Sequence, residues 1–228
     1  MLNRLCMVLF LLAVLPLPAN TQTVYDNGPI NGTTDAWTIN SGFAVSDTFT
    51  VPGGGAGLAG LVFGAWLFPG DVLQSAQVTI TSSLFGGTTY LNEVASFTQS
   101  GCSGNQYGFN ICTETASFSG PFLGSGTYWL SLENAVVNTG DPVYWDENSG
   151  PSRAVDFTNG SLGQAPPNAT AVGTIPSEAF TLLGQGTTCG ADGCAPSQTV
   201  PEPAGLVSLC AGALTLFGFS RGRRRKQF

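Results

Sequence analysis

Along the body of this chain the hydrophobic positions recur with a period of two, the spacing of a half-buried strand. In VSDTFTV (45–51) the alternation puts Val45, Phe49 and Val51 on one face. Val78 and Ile80 alternate with Thr79 and Thr81, and TYWLSLENAVV (127–137) turns Tyr128, Leu130 and Leu132 to one side. LAGLVFGAWLF (58–68) is almost continuously apolar, as a strand buried on both faces would be. Its Gly60 and Gly64, with Phe63, Trp66 and Phe68, favour a strand over a helix. Further extended runs fall at 90–97, 113–118, 143–145 and 179–183. Gly, Pro, Asn and Asp clusters separate them at short intervals. About eight or nine strands with no sustained helical period and no repeat predict an all-β fold. The expected form is an antiparallel β-sandwich of jelly-roll-like type over residues 20–184. Residues 164–176 read as an exposed loop, and 185–199 as a Gly-, Pro- and Thr-rich linker.

Two segments break this pattern. Residues 1–19 read as a signal peptide: Arg4, an apolar run at 5–15, then Pro16 and Pro18 before Ala19. At the other end, Ala204 to Phe219 carries no charge and would reach roughly 24 Å as a helix, a little short of a bilayer core of roughly 30 Å. A membrane helix over 204–220 is therefore expected. Arg221, Arg223, Arg224, Arg225 and Lys226 follow it as a stop-transfer cluster that stays in the cytoplasm. The alternative is a buried core helix with a basic tail.

Charge sharpens the division. The chain has 14 acidic and seven basic residues, for a net charge of −7. All the acids lie between the two ends, and Arg153 is the one base among them, so the body carries −13. Such a surface repels phosphate backbones, which argues against nucleic acid as a partner. It attracts cations such as Ca²⁺ and keeps an exported domain in solution. With no histidine in the sequence, Ser-His-Asp and Cys-His catalysis and His-based metal centres are excluded.

Val200, Pro201, Glu202 and Pro203, a short apolar helix and a chain-terminal Arg cluster resemble the PEP-CTERM sorting signal of Gram-negative bacteria. The resemblance covers residues 200–228 and implies an exosortase as partner, with Pro201, Glu202 and Pro203 as the recognition motif. It further implies export, transient residence in the inner membrane with the body in the periplasm, and delivery to the envelope or an extracellular matrix linked to exopolysaccharide or biofilm. The runs WTINSGFAVSDTFTV, LGSGTYWLSLENAV and SEAFTLLG are similar to body domains of such tagged proteins, which implies the sandwich and no activity.

Four cysteines fall in the body: Cys102, Cys112, Cys189 and Cys194. In an oxidising compartment they read as disulfides, and of three connectivities the local one, 102–112 with 189–194, is preferred. A zinc site is the alternative, but there is no His and no C-x₂-C pair; no metal site is expected. The most suggestive surface is DPVYWDENSGPSR (141–153). There Tyr144 and Trp145 adjoin Asp146, Glu147 and Asn148, a set suited to stacking on sugar rings and to holding hydroxyls or Ca²⁺. Trp129 could extend such a platform. The plainer alternative has Trp145 capping the core and the acids in a turn. A glycan-active enzyme would need two carboxylates, with Asp141, Asp146, Glu147 and Asp156 as candidates. The expected function is non-enzymatic, with no catalytic residue and no cofactor beyond Ca²⁺.

Overall fold

The structure is a computed structural model and describes residues 21–84, 87–158, 170–185, 187–190 and 193–196. Two compact units divide the chain, 1–186 and 187–228. Among the described residues there is no helix. The first unit contains β1 (Thr21–Asp26), β2 (Ala36–Thr38), β3 (Phe43–Val51), β4 (Ala56–Leu67), β5 (Leu73–Thr81), β6 (Thr89–Ser96) and β7 (Thr98–Gly104). It continues with β8 (Asn110–Ser117), β9 (Phe122–Leu123), β10 (Gly126–Val137), β11 (Tyr144–Asp146), β12 (Ala154–Thr158), β13 (Thr170–Ile175) and β14 (Phe180–Gln185). The second unit contains β15 (Thr187–Gly190) and β16 (Gly193–Pro196).

The strands of the first unit form two antiparallel sheets around one apolar core. β4 is the spine of the first sheet. One of its edges takes β8, and through it β7, with β9 at the start of β4. The other edge takes β14 against residues 58–63 and then β11 against 65–66, end to end. β1 flanks β14, and β2 flanks β11. The second sheet runs β13-β12-β3-β10-β5-β6. The predicted stripes face inward: Val45, Phe49, Leu130, Leu132, Val78 and Ile80 from this sheet pack with Leu61, Phe63, Leu67 and Phe180 from the other. Tyr25 reaches across to Phe49, ring centres 6.1 Å apart. At roughly 25 cal/mol per Å² of apolar area removed from water, this shared core is what holds the sheets together.

Three expectations need correction. The predicted loop at 164–176 contains β13, whose TAVGTI run pairs with β12 from Ala154↔Ile175 to Thr158↔Thr170. A strand forms there because the outer edge of β12 offers it a row of backbone partners. The predicted linker at 185–199 begins inside β14 and holds the β15–β16 hairpin, with Cys189 directly opposite Cys194. β1, β2, β7, β9 and β12 also lie outside the expected set, being short or, like TQSGCSG, rich in hydroxyls and glycine.

Cys102 and Cys112 form a disulfide between β7 and β8. The pairing slips between Ser100 and Ser103, so Gly101 and Cys102 stand against Cys112 alone. Gly101 has φ +60°, the left-handed first position of a glycine bulge. Residues 1–19 lie outside the described residues. So do Pro201, Glu202, Pro203, Arg221, Arg223, Arg224, Arg225, Lys226 and the predicted span 204–220. Among the described residues no helix is long and apolar enough to cross a membrane.

Candidate functional site

The segment Tyr144–Asn148 lies on β11 and just beyond it, and strand alternation divides its side chains. Trp145 points into the core, wholly buried, edge-on to Phe63 and Phe180 at 6.1 and 5.6 Å. Its indole N–H donates to the Ala179 carbonyl at 3.0 Å. Of the two readings of Trp145, the one with the indole in the core holds, and the sugar-stacking one does not: no ring face is open to a ligand. Trp129 does not extend the patch either. It sits half-buried on β10 of the second sheet, whereas β11 belongs to the first.

Asp146 points to the outer face of the first sheet, yet it is shut off from water. The loop after β1 folds over it. The backbone N–H groups of Asn31 and Gly32 donate to its two carboxylate oxygens at 2.8 and 3.0 Å, and the Trp66 indole N–H donates at 2.6 Å. Burial raises its pKa, and these three donors oppose the rise. Gly64 leaves the space: a Cβ there would lie 2.8 Å from Ile30 Cγ2 and 2.9 Å from Asp146 Cβ. Glu147 accepts the Trp37 indole N–H at 2.8 Å. The Asn148 amide donates to the carbonyls of Asn27 and Pro29 at 2.9 and 3.3 Å and accepts from Gly150 N–H at 2.8 Å. Asp146, Glu147 and Asn148 are thus neither a surface platform nor a solvated turn. They form a clasp that holds the 27–35 loop onto the sheet.

A second set of polar groups, not anticipated, lies at the inner end of this clasp. The Asn27 side-chain nitrogen has four oxygen neighbours: Asp47 Oδ2 at 3.0 Å, Ser152 Oγ at 2.6 Å, Ser177 Oγ at 2.8 Å and the Glu178 carbonyl at 2.7 Å. An amide nitrogen carries two hydrogens, so the four oxygens share them. Gly150 packs against the same cluster, where a Cβ would collide with the Asn27 carbonyl oxygen. Asp47 accepts Glu178 N–H at 2.8 Å and Thr48 N–H at 2.6 Å. Burial nevertheless pushes its pKa up to about 6, against the hydrogen bonds from Ser152, Glu178, Thr48 and Asn27.

Around this cluster four carboxylates turn inward. Asp47 shares the face of Val45 and Phe49, and Asp156 stands opposite inward-facing Val45. Glu178 precedes inward Phe180 by two and bridges Glu147, which follows inward Trp145 by two. Both carboxylate oxygens of Glu178 are buried without a hydrogen-bond partner, as is Asp156 Oδ1. The Glu178 pKa is raised well above the ordinary value, first by burial and then by the charges of Asp47, Glu147, Asp146 and Asp156. Burial also raises Asp156, against a bond from Phe157 N–H. No three His, Cys, Asp or Glu side chains among the described residues already stand in metal-holding geometry. The signal for these residues was present: Asp47 occupies an inward position of VSDTFTV, and Glu178 one of SEAFTLL.

Tyr144 faces outward, where burial raises its pKa, and joins an aromatic patch. Its ring meets Phe109 edge-on at 5.5 Å, Phe109 meets Phe68 at 5.0 Å, and Tyr107 stacks on Trp66 at 5.6 Å and 20°. Tyr107 is 55% exposed and Phe68 37%. Of the remaining predicted residues, Arg153 is exposed, and Asp141 offers its carbonyl to the Asn40 amide at 3.0 Å.

No protein-family model, curated protein or solved structure matches this chain.

Proposed function

We propose that the chain is an exported, non-enzymatic protein of the cell envelope or extracellular matrix. Its body is a jelly-roll-like β-sandwich, delivered by an exosortase that reads Pro201, Glu202 and Pro203, and it works beside exopolysaccharide by being displayed. The observation that supports export is the Cys102–Cys112 disulfide, a bond that persists in oxidising compartments. It agrees with the leader at 1–19 and with the segregation of five basic residues beyond the apolar run at 204–220. Intact mass of the exported protein tests the reading. The expected product lacks residues 1–19 and the segment after the PEP motif, and retains it in cells without the exosortase. A mature product carrying the full tail overturns it.

The outer aromatic patch supports a second reading, in which the displayed body contacts a glycan through Tyr107, Phe68 and Tyr144. Tyr107 offers an open ring face held in place by Trp66 beneath it. A stacked aromatic contributes about 0.5–1.5 kcal/mol beyond its area, so Tyr107→Ala should weaken retention on the producing cell's exopolysaccharide by up to about tenfold. Unchanged retention removes this reading and leaves the first intact.

A further inference from the structure

We propose that the Cys102–Cys112 disulfide is a reversible thiol-exchange site, attacked at Cys102 by a dithiol reductant, with Glu114 as the proton donor to Cys112. The proposal stands on placement and bonding and does not depend on how the protein is sorted. The bond joins an open sulfur to a closed one. Cys102 is exposed on the bulge of edge strand β7, whereas Cys112 is 0% exposed on the inner face of β8. Apart from Gln99 every residue of β7 is exposed, so reduction unfastens a strand that adds little to the core.

Each sulfur has a polar group set for it. The Gln99 amide nitrogen donates to Cys102 Sγ at 3.2 Å and to the Asp71 carbonyl at 3.3 Å, while its oxygen accepts Leu73 N–H at 3.2 Å. That clamp keeps an N–H aimed at the sulfur, where it favours a thiolate. Glu114 follows Cys112 by two on β8, so both side chains leave the same face. Their Cα positions are roughly 6–7 Å apart, a span that a glutamate side chain covers. Glu114 is 0% exposed, and neither carboxylate oxygen has a partner. Phe63 of β4 and Gln99 of β7 stand opposite it, and β6, which also packs on β8, turns Leu91 and Ala95 inward. The Asp71 carboxylate is taken up by the Thr139 hydroxyl at 2.7 Å. Burial raises the Glu114 pKa to about 7, which keeps the acid form available at neutral pH.

A reductant thiolate attacks Cys102 Sγ, the S–S bond breaks, and its electron pair leaves on Cys112 Sγ. A bare thiolate in the core is costly. The Glu114 carboxyl protonates it, which leaves a Cys112 thiol and a mixed disulfide at Cys102. The second thiolate of the reductant then attacks the reductant sulfur of that mixed disulfide. Cys102 departs as a thiolate beside the Gln99 N–H, and the reductant ends as a disulfide. Two electrons pass to the pair, and Cys102 and Glu114 each take a proton from water.

The test uses the folded full-length chain with dithiothreitol, alkylation of thiols at timed intervals, and the masses of the peptides that carry Cys102 and Cys112. Reduction should be first order in dithiothreitol and leave the fold intact. Divided by the concentration of dithiothreitol thiolate, the rate should fall as pH rises through about 7, where Glu114 gives up its proton. Glu114→Gln should lower that rate by about tenfold or more below this pH and flatten the profile. With glutathione, a single thiol, the mixed disulfide should sit on Cys102 and the free thiol on Cys112. If the variant fails to fold, the wild-type profile and the glutathione adduct still decide. A rate independent of dithiothreitol, as when exchange waits on unfolding, overturns the proposal. So does a flat wild-type profile, a mixed disulfide on Cys112, or an unchanged profile in folded Glu114→Gln.

Discussion

Asp146 and Glu178 are both shut away from water and lie on facing segments, yet their carboxylates have opposite surroundings. Asp146 has an indole and two backbone N–H groups aimed at it. Glu178 has none, and other acids around it. A buried carboxylate with its donors supplied is a fastener, because each donor would itself be left bare without it. A buried carboxylate without donors is a liability unless something else occupies the space. The outer clasp therefore reads as architecture, and Glu178 as an acid whose ionisation works against the fold.

Removing Asp146 should produce the largest effect. Asp146→Ala strands the Trp66 indole and the Asn31 and Gly32 N–H groups, and it loosens the 27–35 loop. A loss of about 3–5 kcal/mol is expected, read as a lower midpoint in urea with the slope unchanged. A loss below about 1 kcal/mol would mean that water replaces the carboxylate, and the clasp would no longer count as a fastener.

Removing the charge of Glu178 should act in the opposite direction. At neutral pH, Glu178→Gln relieves an unpaired buried acid and its repulsion by Asp47 and Glu147. A gain of about 1–2 kcal/mol is expected in the same urea assay. If the variant is destabilised instead, Glu178 has a partner in solution, and the contrast with Asp146 disappears.

How far this contrast could be read from the sequence depends on the range of the interactions. The stripes Val45/Phe49/Val51 and Tyr128/Leu130/Leu132 were legible because alternation is local, and the two-sheet core follows from them. The aspartate inside the first stripe was equally legible as an anomaly, since Asp47 takes an inward position that an apolar residue would normally fill. The clasp was not legible. Asn27 finds its oxygens on residues 20, 125, 150 and 151 positions away, and no spacing rule spans such distances. Trp145 shows the same limit: WDEN suits a core cap and a surface patch alike, and the pairing of β11 with β4 and β2 is what turns the indole inward and covers the acids. β13 escaped notice because an edge strand needs a neighbour's free backbone more than a pattern of its own.

Glu114 supplies the smallest and most discriminating test. It stands opposite Phe63 on the inner face, 0% exposed, with both carboxylate oxygens unpartnered. In that respect it matches Glu178, but no neighbouring charge adds to its shift: burial alone raises it from 4.5 to about 7. A raised acid stabilises the fold fully below its unfolded pKa, and that contribution is lost as pH rises through the folded value. Wild type should therefore lose stability relative to Glu114→Gln between about pH 4.5 and pH 7. The two should be nearly equal at pH 4.5, and the variant ahead at pH 8. Urea midpoints of the two chains at pH 4.5 and 8 read the difference. If the difference is the same at both pH values, Glu114 has a partner in solution, and burial alone does not set its ionisation.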